Sequence, residues 1–268
     1  MRSRRKRVVL TNDDGLGAEG LAELARVLGT FAEVLVVAPR EEKSGIGHAV
    51  TLRGVVRARE VRFDGALEAY AVEGTPADCA KLAIRALFAR EPPRLVVSGL
   101  NRGPNVGVNV FYSGTVAAAL EAAINGVPAV AVSKEHGEKL SFREAAEAVA
   151  PLLRRVLEKG LPRAHALNVN VPDLPADELG GFRLARVGLS GFDESYRELS
   201  PSEHRGRTRR FILEGVMRFR DGGGPTDAEV LRAGWIAVTP MELDLTSRGL
   251  RLADPRPRAR CRWAELLQ

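Results

Sequence analysis

The chain has 268 residues, of which 45% are hydrophobic and 28% charged, a composition typical of a soluble globular protein. Its formal charge of +6 favours anionic partners, but the basic residues are scattered and only 5% of residues are aromatic, so we expect no stable complex with nucleic acid. Two cysteines and the lack of an apolar run of membrane-spanning length argue against a disulfide framework and a membrane anchor, and they indicate a cytoplasmic protein.

The first predicted strand covers residues 8–11 and runs directly into two adjacent aspartates and a glycine. A basic leader, residues 1–7, precedes it, but the apolar run behind that leader is too short for an export signal. A helical pattern follows from residue 18 to residue 28. The chain therefore begins with a strand, a tight turn and a helix, which is the first step of an α/β fold.

The two aspartates, Asp13 and Asp14, lie where α/β folds bind their ligands, beyond the carboxyl end of a strand. Adjacent carboxylates repel each other, and one helix dipole offsets little of that charge. A hard divalent cation would offset it better, because carboxylate oxygen is a preferred ligand of Mg, Mn and Ca. The alternative interpretation is a helix N-cap followed by a surface aspartate.

Further strands and helices alternate along the chain. Strands are predicted at 33–39, 95–98, 128–133, 166–171 and 234–240, and helices at 75–88, 116–124, 142–159 and 227–233. Residues 50–72 predict an antiparallel hairpin beside this series. The pattern indicates a three-layer α/β/α fold with a mostly parallel Rossmann-like sheet, plus a β-hairpin-rich C-terminal arm. We expect a core at 1–180, the projecting arm at 181–220, and a return to the core with a C-terminal tail at 221–268.

Three loops converge on one edge of the predicted sheet. Besides the aspartate turn with Asn12, they carry Ser44, Gly45, Asn101, Ser113, Gly114 and Thr115. All the candidate metal donors are oxygen atoms, which favours a hard cation. The start of the helix at residue 113 offers free N–H groups to an anion. A cation facing an anion-binding helix start is typical of phosphoryl chemistry.

These motifs together resemble the SurE family, the stationary-phase survival nucleotidases. The matching segments include Thr-Asn-Asp-Asp-Gly at 11–15, Ser-Gly at 44–45, Gly-Thr-Pro-Ala-Asp-Cys at 74–79, Ser-Gly-Leu-Asn-Arg-Gly at 98–103, Tyr-Ser-Gly-Thr at 112–115, Asn-Val-Asn-Val-Pro at 168–172 and Thr-Asp at 226–227. They occur in the family's order over nearly the whole chain, which makes the set specific although each motif alone is weak.

The resemblance implies a metal-dependent hydrolase of 5′- and 3′-nucleoside monophosphates, cytoplasmic and dimeric or tetrameric, with polyphosphate trimming in some members. It places one Mg or Mn ion per subunit on four ligands: Asp13, Asp14, Ser44 and Asn101. We expect one of the two aspartates to accept a proton as water attacks phosphorus. The phosphate contacts expected are Asn12, Gly45, Ser113, Gly114 and Thr115.

The sequence departs from the family pattern at three places. Residues 105–109 lack an acidic pair often found there, residues 16–19 lack a His or Ala-Pro pair, and the Asp-Leu-Thr at 244–246 is followed by Ser247 and Arg248. None of these changes involves a proposed metal ligand.

Other interpretations stay open at this stage. A haloacid-dehalogenase-type phosphatase would form an aspartyl phosphate, but that family spaces its acidic residues as Asp-x-Asp. A non-enzymatic nucleotide or nucleic-acid binding module would use the basic surface instead. Among single residues, His48 is either a phosphate contact or a surface residue, and Arg102 is either a substrate contact or a solvated loop charge. Asp78 and Asp227 are predicted to cap helices.

Overall fold

The centre of the protein is a nine-stranded sheet, and the predicted α/β/α layering is confirmed by the computed structural model, which describes residues 5–200, 209–220 and 224–245. The strands are β1 (Arg7–Thr11), β2 (Glu33–Pro39), β3 (Arg57–Val61), β4 (Glu68–Glu73), β5 (Leu95–Arg102), β6 (Ala129–Lys134), β7 (His165–Val171), β8 (Phe182–Leu184), β9 (Gly191–Glu198), β10 (Phe211–Arg218) and β11 (Ile236–Glu242). The helices are α1 (Glu19–Gly29), α2 (Pro76–Leu82), α3 (Gly114–Ile124), α4 (Phe142–Lys159) and α5 (Asp227–Arg232).

The order of the strands in the sheet is β3-β4-β2-β1-β5-β6-β7-β11-β8. The six neighbours from β4 to β7 run parallel, as their continuous apolar sequences predict. At the two margins, β3 is antiparallel to β4, and β11 is antiparallel to β7. The carboxyl ends of β1 and β5 therefore lie side by side near the middle of the sheet, where the candidate site residues emerge.

Each face of the sheet is covered by its own pair of helices. On one face, α1 and α4 bury leucine and valine side chains such as Leu24 and Val149 against β1 and β5. On the other face, α2 and α3 present small residues such as Ala80 and Ala119. Because alanine allows a close approach, nearly all of α3 is buried, and its first turn is fixed against the sheet.

A row of polar residues crosses the sheet beneath α2 and α3. The row contains five buried residues that stand opposite one another on neighbouring strands. Four of them are polar, and Ala131 lies between them: Thr11, Ser98, Ala131, Asn168 and Thr239. Residues in register point to the same face of a sheet, so four polar side chains share one buried layer. That layer lies directly under the loops at the carboxyl ends of the strands.

The structure corrects several predicted elements. The predicted hairpin at residues 50–72 is part of the main sheet, since β4 pairs in parallel with β2 and only β3 is antiparallel. The helix predicted at 75–88 changes to a π-helical turn at Ala83–Leu87. The predicted arm is smaller, because β8 pairs with β11 in the main sheet and only β9 and β10 form a separate ribbon. The predicted basic leader, apart from residues 5–7, and the C-terminal tail lie outside the described residues.

Candidate functional site

The turn after β1 is shaped by Asn12 and Gly15. Asn12 is fully buried, and its side-chain Nδ2 donates to the carbonyl oxygen of Gly15 at 2.8 Å. Gly15 has a φ of +90°, and a Cβ there would lie 3.0 Å from the carbonyl carbon of Glu41. Glycine is therefore required by both backbone conformation and close approach. The contact of Asn12 with phosphate stays a prediction, and its role in the structure is to hold the turn.

Asp13 faces the first turn of α3. It is 4% exposed, and its Oδ2 accepts a hydrogen bond from the backbone N–H of Thr115 at 3.1 Å. The hydroxyl of Thr115 donates a further short bond to Oδ1 of the same carboxylate. The N-cap of α1 is Ala18, so the alternative in which an aspartate of this turn caps α1 is wrong.

The two carboxylates are poorly stabilised in their ionised form. Burial raises the pKa of Asp13, although hydrogen bonds from Thr115 and Gly114 oppose that rise. Burial, together with the neighbouring charge of Asp13, raises the pKa of Asp14 to about 6. A bound cation would remove the repulsion between these groups and favour both charged forms.

The structure brings the loop of Ser44 to the same edge of the sheet. The backbone N–H of Lys43 donates to the carbonyl oxygen of Asp13 at 2.7 Å. Ser44 itself is exposed, and its hydroxyl donates to a carboxylate oxygen of Glu42 at 2.7 Å. The charge of Glu42 is close enough to contribute to the raised pKa of Asp14. Ser44 therefore adjoins the aspartate pair while its hydroxyl stays on the exposed side of the loop.

Asn101 reaches the site from the end of β5. Its Nδ2 donates to the carbonyl oxygen of Gly103 at 2.7 Å, which leaves the amide oxygen as its candidate ligand atom. The next residue, Arg102, gives a backbone hydrogen bond to Asp14 that lowers the pKa of that carboxyl. Asn101 and Asp14 are thus held on adjoining backbone segments.

The start of α3 lies opposite Asp13. Ser113 is the N-cap, and its hydroxyl accepts from the backbone N–H of Val116 at 3.1 Å. Gly114 passes so close that a Cβ there would lie 2.8 Å from Cβ of Asp13. Thr115 was predicted to contact phosphate, but its hydroxyl and its N–H both bind Asp13. Thr115 therefore holds the aspartate, and the phosphate contacts of Ser113 and Gly114 stay predictions.

The donor set fits a hard cation and no softer metal. In the described ranges there is no cluster of three or more His, Cys, Asp or Glu side chains suited to a metal. What the edge offers is two carboxylates with a raised pKa, one hydroxyl and one amide oxygen. Such an all-oxygen set suits Mg or Mn, and it leaves coordination positions to water and substrate.

Comparison with known proteins relates most of the chain to one family. The family model described as Survival protein SurE matches residues 8–194. The chain belongs to the SurE family. A relative named 5'-nucleotidase SurE from Geobacter sulfurreducens is 45% identical over 241 residues, which is 90% of this chain and 89% of the relative. One of the same name from Heliobacterium modesticaldum is 41% identical over 245 residues, 91% of this chain and 89% of the relative.

The fold agrees with a solved SurE structure. The crystal structure of the SurE protein from Aquifex aeolicus has a TM-score of 0.78 and 33% identity, covering 90% of this chain and 95% of that one. Every candidate site residue lies inside the region matched by the SurE model. Among the helices of the described ranges, none combines the length and hydropathy needed to cross a bilayer.

Sequence reasoning used Asn168 and Asn170 only as part of a family motif and missed that they hold the loop between Asn101 and α3. The backbone N–H of Asn105 donates to Asn170 at 2.7 Å, and its carbonyl oxygen accepts from Asn168 at 2.7 Å. Its side-chain amide donates to the hydroxyl of Ser133 at 2.8 Å. The available signal was the pair of asparagines at alternate positions of an otherwise apolar strand. Buried amides require hydrogen-bond partners, so this pair indicated a bound loop nearby.

Asp227 holds the following turn. It is fully buried, and its carboxylate accepts from the backbone N–H of Gly107 at 2.9 Å and of Gly188 at 3.1 Å. Its prediction as a helix cap is wrong, because Thr226 is the N-cap of α5. The prediction for Asp78 is confirmed, since it forms a capping box with Thr75 at the start of α2.

The two other charged residues singled out in the sequence have clear positions. Arg102 is exposed. Its Cζ lies 4.9 Å from the ring centroid of Phe142, and its Nη2 lies 3.7 Å from a carboxylate oxygen of Glu19. This favours its interpretation as a surface charge. His48 contacts the buried carboxylate of Glu121.

Proposed function

We propose that this protein hydrolyses 5′- and 3′-nucleoside monophosphates to nucleoside and phosphate, with one divalent metal ion per subunit. The observation that carries the proposal is the aspartate pair beside the start of α3, with Asp13 buried and Asp14 partly buried, where a proposed cation site faces an anion-binding helix start. The name 5'-nucleotidase SurE, carried by relatives more than 40% identical over nine-tenths of the chain, supports the choice of substrate.

The proposed ligands are Asp13, Asp14, Ser44 and Asn101, and the proposed metal is Mg or Mn. When bound, the ion would polarise a phosphate oxygen and make a water molecule more acidic. The Ser44 hydroxyl donates its proton to Glu42, which leaves the lone pairs of the same oxygen for the ion. A rotation about one side-chain bond on this exposed loop would direct them to it.

The two aspartates take different roles in the proposed mechanism. Both oxygens of Asp13 accept hydrogen bonds from Thr115, so Asp13 is held rigidly and serves to bind the cation. Asp14 is less buried, and although its pKa is raised to about 6 in the metal-free site, a bound cation would keep it ionised and able to accept a proton. We assign it to the attacking water, whose proton it accepts as the oxygen attacks phosphorus in line.

The substrate phosphate is proposed to bind between the loop of Gly45 and the start of α3. The hydroxyl of Ser113, whose oxygen accepts from Val116, keeps its proton for a phosphate oxygen, whereas the N–H of Gly114 would have to exchange Asp13 for the phosphate. Gly45 has no heavy atom within 4 Å of a notional Cβ, so the loop leaves open space there. Short polyphosphate presents the same terminal phosphate, and we propose exopolyphosphatase activity as a secondary reaction.

We also propose a homodimer or homotetramer, working in the cytoplasm. The β9–β10 ribbon carries large apolar side chains on its surface: Phe192, Tyr196, Phe211, Leu213 and Val216 are 52%, 73%, 48%, 47% and 71% exposed. Apolar groups so concentrated on a projecting ribbon are typical of subunit contacts. The main sheet and its helices would then carry the chemistry and the β9–β10 ribbon the association. A monomer in sedimentation velocity at micromolar concentration contradicts this part.

The deciding experiment is a phosphatase assay with metal removal. We expect hydrolysis of 5′-AMP and 3′-AMP that EDTA abolishes and that Mg or Mn restores. Hydrolysis that survives complete chelation overturns the metal site. An aspartyl phosphate trapped by acid quench instead favours the haloacid-dehalogenase type of mechanism. Nucleotide binding without turnover, insensitive to chelation and steeply dependent on salt, favours the binding module.

A further inference from the structure

The loop that carries Ser44 and Gly45 is tied to α3 by a side-chain pair outside the candidate ligand set. His48, four residues after Ser44, places its Nε2 3.0 Å from an Oε2 carboxylate oxygen of Glu121. Glu121 lies two turns along α3 from the residues that face Asp13, and it is 3% exposed. One side-chain contact thus joins the loop to the helix whose first turn binds Asp13.

The partners of Glu121 come from three different elements. Its Oε1 accepts from Asn125 at 2.9 Å on the same helix and pairs with Nζ of Lys81 on α2 at 3.0 Å. Its Oε2 is the oxygen that faces His48. Burial raises the pKa of Glu121, but the hydrogen bonds from His48, Lys81 and Asn125 outweigh it and hold the pKa below its ordinary value. A buried charged carboxylate needs such partners, so removing one of them lowers the folding stability more than breaking a surface ion pair does.

The loop has further attachments on both sides of Ser44. Before it, Lys43 is bound to the carbonyl oxygen of Asp13. After it, the N–H of Gly47 donates to the carbonyl oxygen of Tyr112 at 2.9 Å, and Thr51 makes two hydrogen bonds to Asp78. Between these points the loop is exposed, and His48 makes its side-chain connection to α3. The bond from Gly47 to Tyr112 holds the loop beside the start of α3, and the His48 contact adds a side-chain attachment further along the same helix.

We propose that His48 is a positioning residue, which through Glu121 holds Ser44 and Gly45 at a fixed distance from the start of α3. The inference rests on the proposed function, because it takes Ser44 as a metal ligand. This role is distinct from substrate contact, because the Nε2 of His48 faces the carboxylate of Glu121. Loss of the contact should therefore weaken metal binding and raise KM more than it lowers kcat at saturating metal.

Two amide variants of His48 carry the same hydrogen-bonding group on side chains of different length. In His48→Gln the side-chain NH₂ can take the place of Nε2, while in His48→Asn the same group is one carbon short of Glu121. The control is Lys81→Met, which removes another partner of Glu121 without touching the loop. The measurements are Mn²⁺ affinity by isothermal titration calorimetry, and KM and kcat for 5′-AMP, with melting curves to verify folding.

We expect His48→Asn to weaken Mn²⁺ binding about tenfold and to raise KM, as loss of an outer contact does at metal sites. His48→Gln should recover most of both, and Lys81→Met should stay near wild type in Mn²⁺ affinity. If wild-type protein binds Mn²⁺ and His48→Asn binds it equally well, the inference falls and the proposed function stands. Equal losses in His48→Gln and His48→Asn, or in Lys81→Met, also overturn the inference. If wild-type protein binds no Mn²⁺, the proposed function fails first and the inference fails with it.

Discussion

Thr115 gives both its hydroxyl and its backbone N–H to the carboxylate of Asp13, although 102 positions separate the two residues. The aspartate turn and the start of α3 are therefore one unit, because neither can move without breaking a charge-assisted bond. The same contact explains why Gly114 approaches Asp13 so closely. Four predictions follow the geometry of this edge of the sheet.

The first prediction concerns the hydroxyl of Thr115. In Thr115→Val the hydrogen bond that lowers the pKa of Asp13 is lost while the shape of the side chain is kept. We expect Mn²⁺ affinity to fall about 10- to 100-fold, as for other residues that orient a metal ligand. Thr115→Ser keeps the hydroxyl and should bind Mn²⁺ nearly as well as wild type. Calorimetric titration of both variants measures this, and a normal affinity in Thr115→Val would contradict it.

The second prediction uses two glycines near the aspartate turn. In Gly114→Ala the new methyl group would lie 2.8 Å from Cβ and 2.9 Å from Oδ2 of Asp13, so the aspartate must shift. In Gly17→Ala nothing lies within 4 Å of the new group. We expect Gly114→Ala to lose most hydrolysis of 5′-AMP and Gly17→Ala to keep it. Similar activity in the two variants would show that the position of Asp13 does not matter.

The third prediction separates the two aspartates by stability. Asp13→Asn and Asp14→Asn each remove one charge, so each should weaken Mn²⁺ binding at least about tenfold. Without metal they should differ. Asparagine at position 13 also relieves the repulsion, but it can accept only one of the two bonds from Thr115, so metal-free Asp13→Asn should be less stable than metal-free Asp14→Asn by about 1 kcal/mol. Asparagine at position 14 relieves the repulsion and should leave the metal-free protein equally or more stable. Urea unfolding in EDTA measures both values.

The fourth prediction is a pH dependence of the metal-free protein. The pKa of Asp14 is raised from 3.8 to about 6 in the folded state, so the folded protein holds a proton that the unfolded chain has released. The contribution of Asp14 to stability is therefore fully present below about pH 4 and is lost as pH rises through about 6. Buried Asp13 acts in the same direction.

The measurement compares wild type with Asp14→Asn by thermal unfolding in EDTA from pH 4 to pH 8. The difference in stability between the two proteins reports the titration of Asp14 alone. The carboxyls of Asp78, Asp173 and Glu121, whose lowered pKa values act in the opposite direction, are present in both proteins and cancel. The variant should gain stability relative to wild type as pH rises. A constant difference over this range would contradict the raised pKa.

Much of the fold could be predicted because parallel strands buried on both faces are continuously apolar. The strand before Asp13, the strand before Asn101 and the helices between them followed directly from that pattern. The place of β8 in the main sheet could not, because it has only three residues, all of them exposed, and its register depends on β11. Burial patterns indicate which residues lie inside and say little about which strands become neighbours.

The sequence motifs named the candidate residues of the site, but they did not predict the contacts between those residues. Motif order identified Asp13 and the start of α3, but Thr115 was interpreted as a phosphate contact, since its bond to Asp13 depends on tertiary packing. Glu121 was missed because a glutamate in an alanine-rich helix usually indicates an exposed position. Its partners Lys81 and His48 come from distant parts of the chain, so only the folded structure shows that it is buried.

The candidate ligands all lie within the first 115 residues, yet the segment between Asn101 and α3 is held by Asn168, Asn170 and Asp227. A growing polypeptide therefore emerges from the ribosome with its reactive carboxylates long before it can arrange them. The edge of the sheet is completed only when more than four-fifths of the polypeptide has been synthesised. A chain terminated before Asp227 would thus lack a residue that holds the segment between Asn101 and α3.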